Sequence, residues 1–296
     1  MPEDANRKGD RATERIVTLF KNLGWNLKSR TDVDVKTDEE GRKHGYGIDA
    51  YLTYEDPYGR HTYGNILESK SWQWGSINEG QVESFFETLL EKVEKGPNSE
   101  QFESTHNLGN EASLTNTGIV ALWATDGFDS TDFREFVRAI DVPRKWELAK
   151  ICLWGNDYLK RIAQIEDTYN DLKGDYEEVK IYYPDLTDED GGRYDLITLE
   201  YLLSDFFFAT GGDSSEQGFI FYFDEMDFDS LLFMYKSLRH YQLLSNHEQI
   251  DIFVPNRGYQ TEPVEEEFIR EFSGGKTEIE FKSMRAMANL QHLDSR

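Results

Sequence analysis

The chain has 296 residues, of which 38% are hydrophobic, and its 57 acidic and 32 basic side chains give a formal net charge of −25. It is long enough for two domains, and no stretch has the length and apolarity of a membrane-spanning helix. Residues 1–4 carry no apolar signal region. The single cysteine, Cys152, excludes an internal disulfide framework and a cysteine-based zinc cluster. We therefore expect a cytoplasmic protein without membrane contact.

The acidic charge is concentrated away from the amino-terminal part. Residues 1–75 hold 12 basic and 13 acidic side chains, whereas residues 168–296 hold 11 and 27. A charge of −25 spread evenly would repel a nucleic acid, so a phosphate backbone would have to bind the nearly neutral first segment. Candidates for phosphate contact there are Lys8, Arg11, Arg15, Lys28, Arg30, Arg42, Lys43, His44, Arg60 and His61. The alternative is that these scattered charges serve solubility alone.

The first predicted element is a helix over residues 11–25. Its buried stripe would consist of Ile16, Leu19, Phe20 and Leu23, and Gly24 supplies a carboxyl-terminal stop.

Two β-prone runs follow, over residues 48–54 and 61–70, and residues 55–60 between them contain Pro57 and Gly59. Proline followed by glycine is typical of a turn, so we predict a hairpin. A turn centred near residue 58 places Asp49 opposite residue 67 or its neighbours, and so beside Glu68.

The side-chain period of two predicts which groups of the second strand share a face. It puts Ile66, Glu68 and Lys70 on one face, with Leu67 and Ser69 on the other. Two carboxylates and a backbone carbonyl, here that of Ser69, are sufficient protein ligands for a hard divalent cation. Lys70 is placed to orient a water molecule or to stabilise charge on a phosphoryl group. The pattern indicates a metal-dependent phosphodiesterase.

The residues Glu14, Asp49, Glu68-Ser69-Lys70 and Gln81 together resemble the motif of the PD-(D/E)XK nuclease superfamily, closest to its Mrr-like and resolvase-like branches. The resemblance implies a restriction-endonuclease-like α/β core, a mixed sheet flanked by helices. It also implies that Glu14, Asp49, Glu68 and the Ser69 carbonyl bind Mg²⁺ or Mn²⁺, that Lys70 assists the attacking water, and that Gln81 positions that water or the substrate. Ile48 stands where the family name has proline, a position that varies in the family.

Further elements extend the resemblance to residue 167. We predict strands over 118–123 and 151–154 and helices over 131–140 and 157–167, which completes the order α-β-β-β-α-β-α-β-α. Residues 1–167 would form the nuclease-like domain.

Residues 168–296 predict a smaller, acidic α/β accessory domain. The expected elements are a strand ending near 182, a helix over 196–209, a strand over 219–223, a helix over 229–243, a strand over 250–254, a helix over 264–272 and a strand over 276–281. The acids of residues 224–229 suit helix caps better than a calcium loop. We expect this domain to serve docking or oligomerisation with a protein partner or a second copy of the chain.

Each motif residue also has a structural alternative. Glu14 could be a solvated acid favoured by the helix dipole, Asp49 and Glu68 an exposed cross-strand pair balanced by Lys70, and Gln81 a surface residue beside an apolar stripe. Trp72 and Trp74 could stack on unpaired bases, although packing is the commoner role.

The functional hypothesis is a metal-dependent nuclease. Its substrate would be DNA, with RNA left open, and its role antiviral defence or repair. The alternative is a catalytically idle nuclease-fold subunit that binds a partner through its acidic carboxyl-terminal domain.

Overall fold

The computed structural model describes residues 2–35, 46–105, 107–142, 149–184, 192–212, 217–244, 247–255, 257–273 and 277–285. The chain divides into two compact units, one containing Met1–Lys160 and the other Arg161–Ala288. The predicted domain boundary after residue 167 stays a prediction. No helix of the described residues is both long enough and apolar enough to cross a membrane.

The first unit has the predicted order of helices and strands. Its elements are α1 (Pro2–Asn22), β1 (Asn26–Val35), β2 (Tyr46–Glu55), β3 (Thr62–Trp72), α2 (Glu79–Lys95), β4 (Leu114–Ala124), α3 (Ser130–Ala139), β5 (Lys150–Trp154) and the start of α4 (Asn156–Asp175). The five strands form one sheet in the order β1-β2-β3-β4-β5. The pairs β1/β2 and β2/β3 are antiparallel, and the pairs β3/β4 and β4/β5 are parallel. This mixed sheet with flanking helices confirms the predicted fold class.

The two faces of this sheet carry different helices. Ile66 of β3 belongs to the same buried cluster as Val82, Leu89 and Val93 of α2. On the other face, Ser69 pairs with Ala121 and Ala121 with Trp154, whose ring stacks on Phe20 of α1 at 5.8 Å. Since paired residues share a face and successive residues alternate, Glu68 and Lys70 lie on the α2 face, and α1 covers the opposite one.

The Asn156 side chain fixes the end of β4 to the start of α4. It accepts a hydrogen bond from the Ala124 N–H at 2.7 Å and donates one to the Ala124 carbonyl at 2.8 Å, and it is buried. This buried amide satisfies both the N–H and the C=O of Ala124, the last residue of β4, and so holds the start of α4 beside the end of that strand.

The second unit is also a mixed α/β structure. After α4 come β6 (Lys180–Tyr183), β7 (Gly192–Tyr194), α5 (Leu199–Leu203), β8 (Phe206–Gly211), β9 (Gln217–Tyr222), α6 (Phe228–His240), β10 (Gln249–Val254), α7 (Glu262–Phe272) and β11 (Glu278–Ser283). The sheet order is β11-β10-β9-β8-β6-β7, with β9, β10 and β11 parallel. Its core joins Ile220 and Ile252 to Leu231 of α6 and Phe268 of α7.

The predicted single helix over residues 196–209 is wrong. A helix of five residues, α5, ends at Leu203, and strand β8 begins at Phe206. Ser204 at the helix end hydrogen-bonds through its hydroxyl to the carbonyls of Tyr201 and Phe206, which closes the helix and starts the strand. The following aromatic run suits a strand, because Phe206 to Gly211 pairs along its whole length with β9.

Candidate active site

The register of the β2–β3 hairpin brings Asp49 and Glu68 to the same face. Ala50 pairs with Leu67 and Tyr51 with Ile66. A turn centred at residue 58 would place Asp49 opposite residue 67, so the observed register differs from that prediction by one residue. It agrees with the predicted range, which included the neighbours of residue 67. Continued by one residue, the ladder sets Asp49 across from Glu68. A one-residue change of register reverses the face of every side chain, so this alignment is what lets the two acids converge.

The regular ladder ends at Ala50, and beyond it the Asp49 side chain accepts a hydrogen bond in place of a backbone carbonyl. The Oδ2 atom of Asp49 accepts a hydrogen bond from the backbone N–H of Ser69 at 2.7 Å. In an extended strand the N–H and C=O of one residue point to the same side, so the Ser69 carbonyl also faces the Asp49 side. The structure thus brings Asp49, Glu68 and the Ser69 backbone together.

Lys70 lies between the two carboxylates. Its ammonium is 3.0 Å from Glu68 Oε2 and 4.0 Å from Asp49 Oδ2. Glu68 is buried, whereas the side chains of Lys70 and Asp49 are 28% and 29% exposed. The site therefore has a buried acid at its base and a solvent-accessible lysine and acid at its mouth.

The electrostatic environment shifts two of these groups. Burial raises the pKa of Asp49, and the nearby Glu68 raises it further, against the opposing effects of Lys70, the Ser69 N–H and Lys92. Burial alone would lower the pKa of Lys70, but the charges of Glu68 and Asp49 outweigh it and raise the pKa. The two acids thus favour the charged form of Lys70, whereas burial and Glu68 disfavour the charged form of Asp49.

A second lysine, Lys92 of α2, completes the cluster and was missed by the sequence analysis. Its ammonium forms an ion pair with Glu68 Oε1 and donates a hydrogen bond to the Gly47 carbonyl, and the residue is only 4% exposed. A signal was available: Lys92 follows Leu89 by three residues, within the apolar stripe of the helix, where a lysine is buried only if it is paired.

Glu14 belongs to a helix on the other side of the sheet from this cluster. Glu14 is exposed on α1, the helix that packs on the opposite face of the sheet from Glu68 and Lys70. Among the described residues, no three Asp, Glu, His or Cys side chains lie together as a metal-holding group. Metal binding by Glu14 stays a prediction from the family resemblance.

Gln81 lies in the first turn of α2, after the cap residue Asn78, whose side chain accepts from the Gln81 N–H at 3.1 Å. The eleven residues from Gln81 to Lys92 correspond to about 16 Å along the helix axis, so Gln81 lies about three helical turns from the lysine that contacts Glu68. The Gln81 Oε1 atom is buried and has no hydrogen-bond partner in the described part of the chain. Its predicted role remains a prediction, although a buried unsatisfied acceptor is suited to a water or a substrate hydroxyl.

The neighbouring tryptophans pack within the protein. Trp72 makes an edge contact with Phe85 at 5.4 Å, and Trp74 contacts both Phe128 at 5.0 Å and Phe136 at 6.1 Å. These contacts favour the packing interpretation over stacking on bases.

The candidate phosphate contacts differ in availability. Arg11, Arg60 and His61 are exposed, whereas Lys28 pairs with Glu111 at 2.6 Å. Arg42, Lys43 and His44, and the side chains of Lys8 and Arg30, lie outside the described residues.

The donor set fits a magnesium-type ion rather than a soft metal. It consists of two carboxylates, each with an oxygen within 4.0 Å of the Lys70 ammonium, and the Ser69 carbonyl, so every donor atom is oxygen. Magnesium takes one or two carboxylates and keeps several waters, so the absence of a third acid among the described residues is compatible with it.

Comparison with known protein families places the first part of the chain in a nuclease family. Residues 1–158 match the family model described as "GAPS4 protein PD-(D/E)XK nuclease domain". No curated protein and no solved structure matches the chain. The matched residues include α1, the β2–β3 hairpin and α2, and hence every member of the cluster described above.

Proposed function

Since the chain belongs to the GAPS4 PD-(D/E)XK nuclease-domain family, and hence to the superfamily that its motif resembles, we propose that it is a metal-dependent nuclease acting at Asp49, Glu68, Ser69 and Lys70. The observation that carries the proposal is the position of Lys70, whose ammonium lies within 4.0 Å of both carboxylates. Two carboxylates that both lie near one ammonium group are also close enough to bind one divalent ion together.

Asp49, the Oε2 atom of Glu68 and the Ser69 carbonyl would hold Mg²⁺ or Mn²⁺. The bound ion would supply Lewis-acid stabilisation of charge on the phosphoryl group. The Ser69 N–H holds Asp49 Oδ2 at 2.7 Å, and the same oxygen lies 4.0 Å from the Lys70 ammonium. A carboxylate oxygen has lone pairs for both a hydrogen bond and an ion. Lys70, partly exposed at the mouth of the site, is placed to stabilise charge on the phosphorus or to orient the attacking water.

Gln81 would act as an acceptor for that water or for the substrate. Its buried Oε1 atom has no partner among the described residues, and a polar atom in that state is commonly completed by a water or a ligand. Glu14 enters the proposal only through the family resemblance.

The proposed substrate is DNA. Support comes from the family, from the near balance of charge over residues 1–75, and from the exposed Arg11, Arg60 and His61. Contacts from such residues reach the phosphate backbone and carry no base information, so cleavage without strong sequence preference is expected. The proposed setting is antiviral defence or repair in a reducing compartment such as the cytoplasm.

The acidic residues 168–296 would serve as an accessory domain that docks a partner protein or a second copy of the chain. Their 27 acidic and 11 basic side chains oppose direct contact with nucleic acid. Productive binding of DNA would then depend on the first unit, assisted by the partner. If the site proves inert even with its partners, the chain is instead an idle nuclease-fold subunit.

A cleavage assay on plasmid, linear duplex and RNA tests the proposal, with Mg²⁺, Mn²⁺ or EDTA present. Wild-type protein should cut DNA with either ion and not in EDTA, and Lys70→Ala should lose activity about a hundredfold or more. Lys95→Ala is the matched control, because Lys95 lies on α2 in an ion pair with Glu91 of the same helix. It should cut like wild type.

Three outcomes would change the proposal. Equal cleavage by wild type and Lys70→Ala would show that the reaction does not take place at this site. Cleavage of RNA alone would replace the substrate. An inert wild type, assayed together with its binding partners, would favour the idle subunit.

A further inference from the structure

Lys92 is a buried cation at the base of the site that the proposed chemistry does not use. Its side chain is 5% exposed, and its ammonium contacts Glu68 Oε1 and the Gly47 carbonyl. Taking an ammonium out of water costs several kcal/mol unless its partners compensate. Here both partners are oxygen atoms of β2 and β3, which are the strands that carry the proposed metal ligands.

The two oxygens of Glu68 are divided between two different lysines. Oε1 faces Lys92, and Oε2 lies 3.0 Å from Lys70. Lys70 is 28% exposed, so its ammonium can move into solvent when another cation arrives. Lys92 has no such route, because withdrawing it from Glu68 would leave a charge in the buried cluster of α2 and the sheet. Only Oε2 of Glu68 is therefore available to an incoming ion.

Charge balance points in the same direction. The ion pair with Lys92 offsets one of the two carboxylate charges of Asp49 and Glu68. A single divalent ion would then meet one remaining negative charge and the dipole of the Ser69 carbonyl. A second divalent ion beside Glu68 Oε1 would have to displace Lys92, because no third Asp, Glu, His or Cys joins these two acids as a metal-holding group in the described part of the chain.

We propose that Lys92 is a resident cation that occupies the place beside Glu68 Oε1 and Gly47 where a second divalent ion would bind, so that the site holds one ion. This inference rests on the proposed function. Lys92 is in this view a positioning residue: it acts through Glu68, whose Oε2 atom it leaves facing Lys70, and it does not touch the substrate.

Ion counting in the absence of nucleic acid tests the inference without relying on activity. Mn²⁺ binding to the full chain is measured by calorimetry and by electron paramagnetic resonance. Wild type and the control Lys95→Ala should each bind one ion. Lys92→Ala should bind two, because Glu68 Oε1 and the Gly47 carbonyl are then open to a metal.

A second variant covers the case in which Lys92→Ala does not fold. Lys92→Gln keeps a donor for the Gly47 carbonyl but removes the charge, and should bind its first ion at least about tenfold more tightly than wild type. The inference is overturned if wild type binds two ions, if folded Lys92→Ala still binds one, or if folded Lys92→Gln binds no more tightly. Metal-dependent cleavage by a wild type that binds two ions would overturn the inference and leave the proposed function intact, whereas no ion bound by wild type would overturn both.

Discussion

The carboxylate of Asp49 accepts a hydrogen bond of 2.7 Å from the backbone N–H of Ser69, next to the last regular pair of the β2–β3 ladder. A side chain thus replaces a backbone acceptor at the point where the strands separate. The replacement frees the Ser69 carbonyl side of the strand for another ligand, and it holds Asp49 across from Glu68. One hydrogen bond therefore links the end of the hairpin to the geometry of the site.

Asp49→Asn should separate activity from stability. The amide keeps an acceptor for the Ser69 N–H but loses the charge, so we expect metal-dependent cleavage to fall about a hundredfold or more, since even outer-shell changes cost about 10–100-fold in metal sites. The folded state raises the pKa of Asp49 through burial and Glu68, so at neutral pH its charge opposes folding. The variant should consequently be at least as stable as wild type at neutral pH.

The pH dependence of that difference has a definite sign. A carboxyl with a raised folded pKa favours folding most below its unfolded pKa, and that contribution is lost as pH rises through the folded pKa. The stability of Asp49→Asn relative to wild type should therefore increase from about pH 4 towards neutral pH. Urea unfolding in EDTA at both ends of this range measures it. A variant that loses stability relative to wild type as pH rises would contradict the assignment.

Glu14→Gln distinguishes the geometry from the family resemblance. Glu14 is exposed on α1, on the opposite face of the sheet from Glu68 and Lys70. From this arrangement we expect Glu14→Gln to bind Mn²⁺ with an affinity within about threefold of wild type, a change of less than about 1 kcal/mol. Asp49→Asn serves as the positive control for lost binding. A loss of binding by Glu14→Gln equal to that of Asp49→Asn would support Glu14 as a metal ligand, as the family resemblance implies.

The hairpin and the order of elements could be predicted because both depend on local signals. Proline and glycine in residues 55–60 define the turn, and the side-chain period defines the faces. The register was harder, because it depends on how the turn closes: the Asp56 N–H bonds to the His61 carbonyl at 2.8 Å, which centres the turn between Tyr58 and Gly59. A shift of half a residue at the turn changes each pairing by one residue.

Other features depend on tertiary placement. Lys92 reaches Glu68 only because α2 packs back across β3, and a single sequence gives the apolar stripe of that helix but not its position over the sheet.

The helix predicted over residues 196–209 was wrong for a related reason. A short apolar run does not distinguish helix from strand, and pairing of β8 with β9 decides the conformation of Phe206 to Gly211.

Gly118→Ala should disturb the seating of α2 over the site. An added Cβ at Gly118 would lie 2.6 Å from Leu89 Cγ and 2.8 Å from Val93 Cγ2, both on α2. We expect a loss of about 1–3 kcal/mol in the free energy of unfolding, since overpacking forces side chains or backbone to move. Gly174→Ala is the control, because a Cβ there meets no atom of the described residues within 4 Å.

A double variant identifies the cause of that loss. If the clash with Leu89 is responsible, the cost of Gly118→Ala combined with Leu89→Ala should be smaller than the summed single costs by at least about 0.5 kcal/mol. Additive costs in urea unfolding would show that Gly118 is required for another reason.

Asp227 provides a pH-dependent helix cap in the second unit. Its side chain accepts hydrogen bonds from the N–H groups of Asp229 at 2.9 Å and Ser230 at 3.0 Å and from the Ser230 hydroxyl at 2.7 Å, and the Ser230 contacts in particular lower its pKa. Stability that depends on a lowered carboxyl pKa is present above the unfolded pKa and is lost as pH falls through the folded one. Asp227→Ala should therefore be less stable than wild type at neutral pH, and the difference should shrink as the medium becomes acidic. Asp227→Asn, which caps without titrating, should show a difference from Asp227→Ala that does not change with pH. Urea unfolding of the three proteins from neutral to acidic pH measures these differences. If the difference in stability between wild type and Asp227→Ala does not change with pH, the charge of Asp227 does not contribute to the stability of the protein.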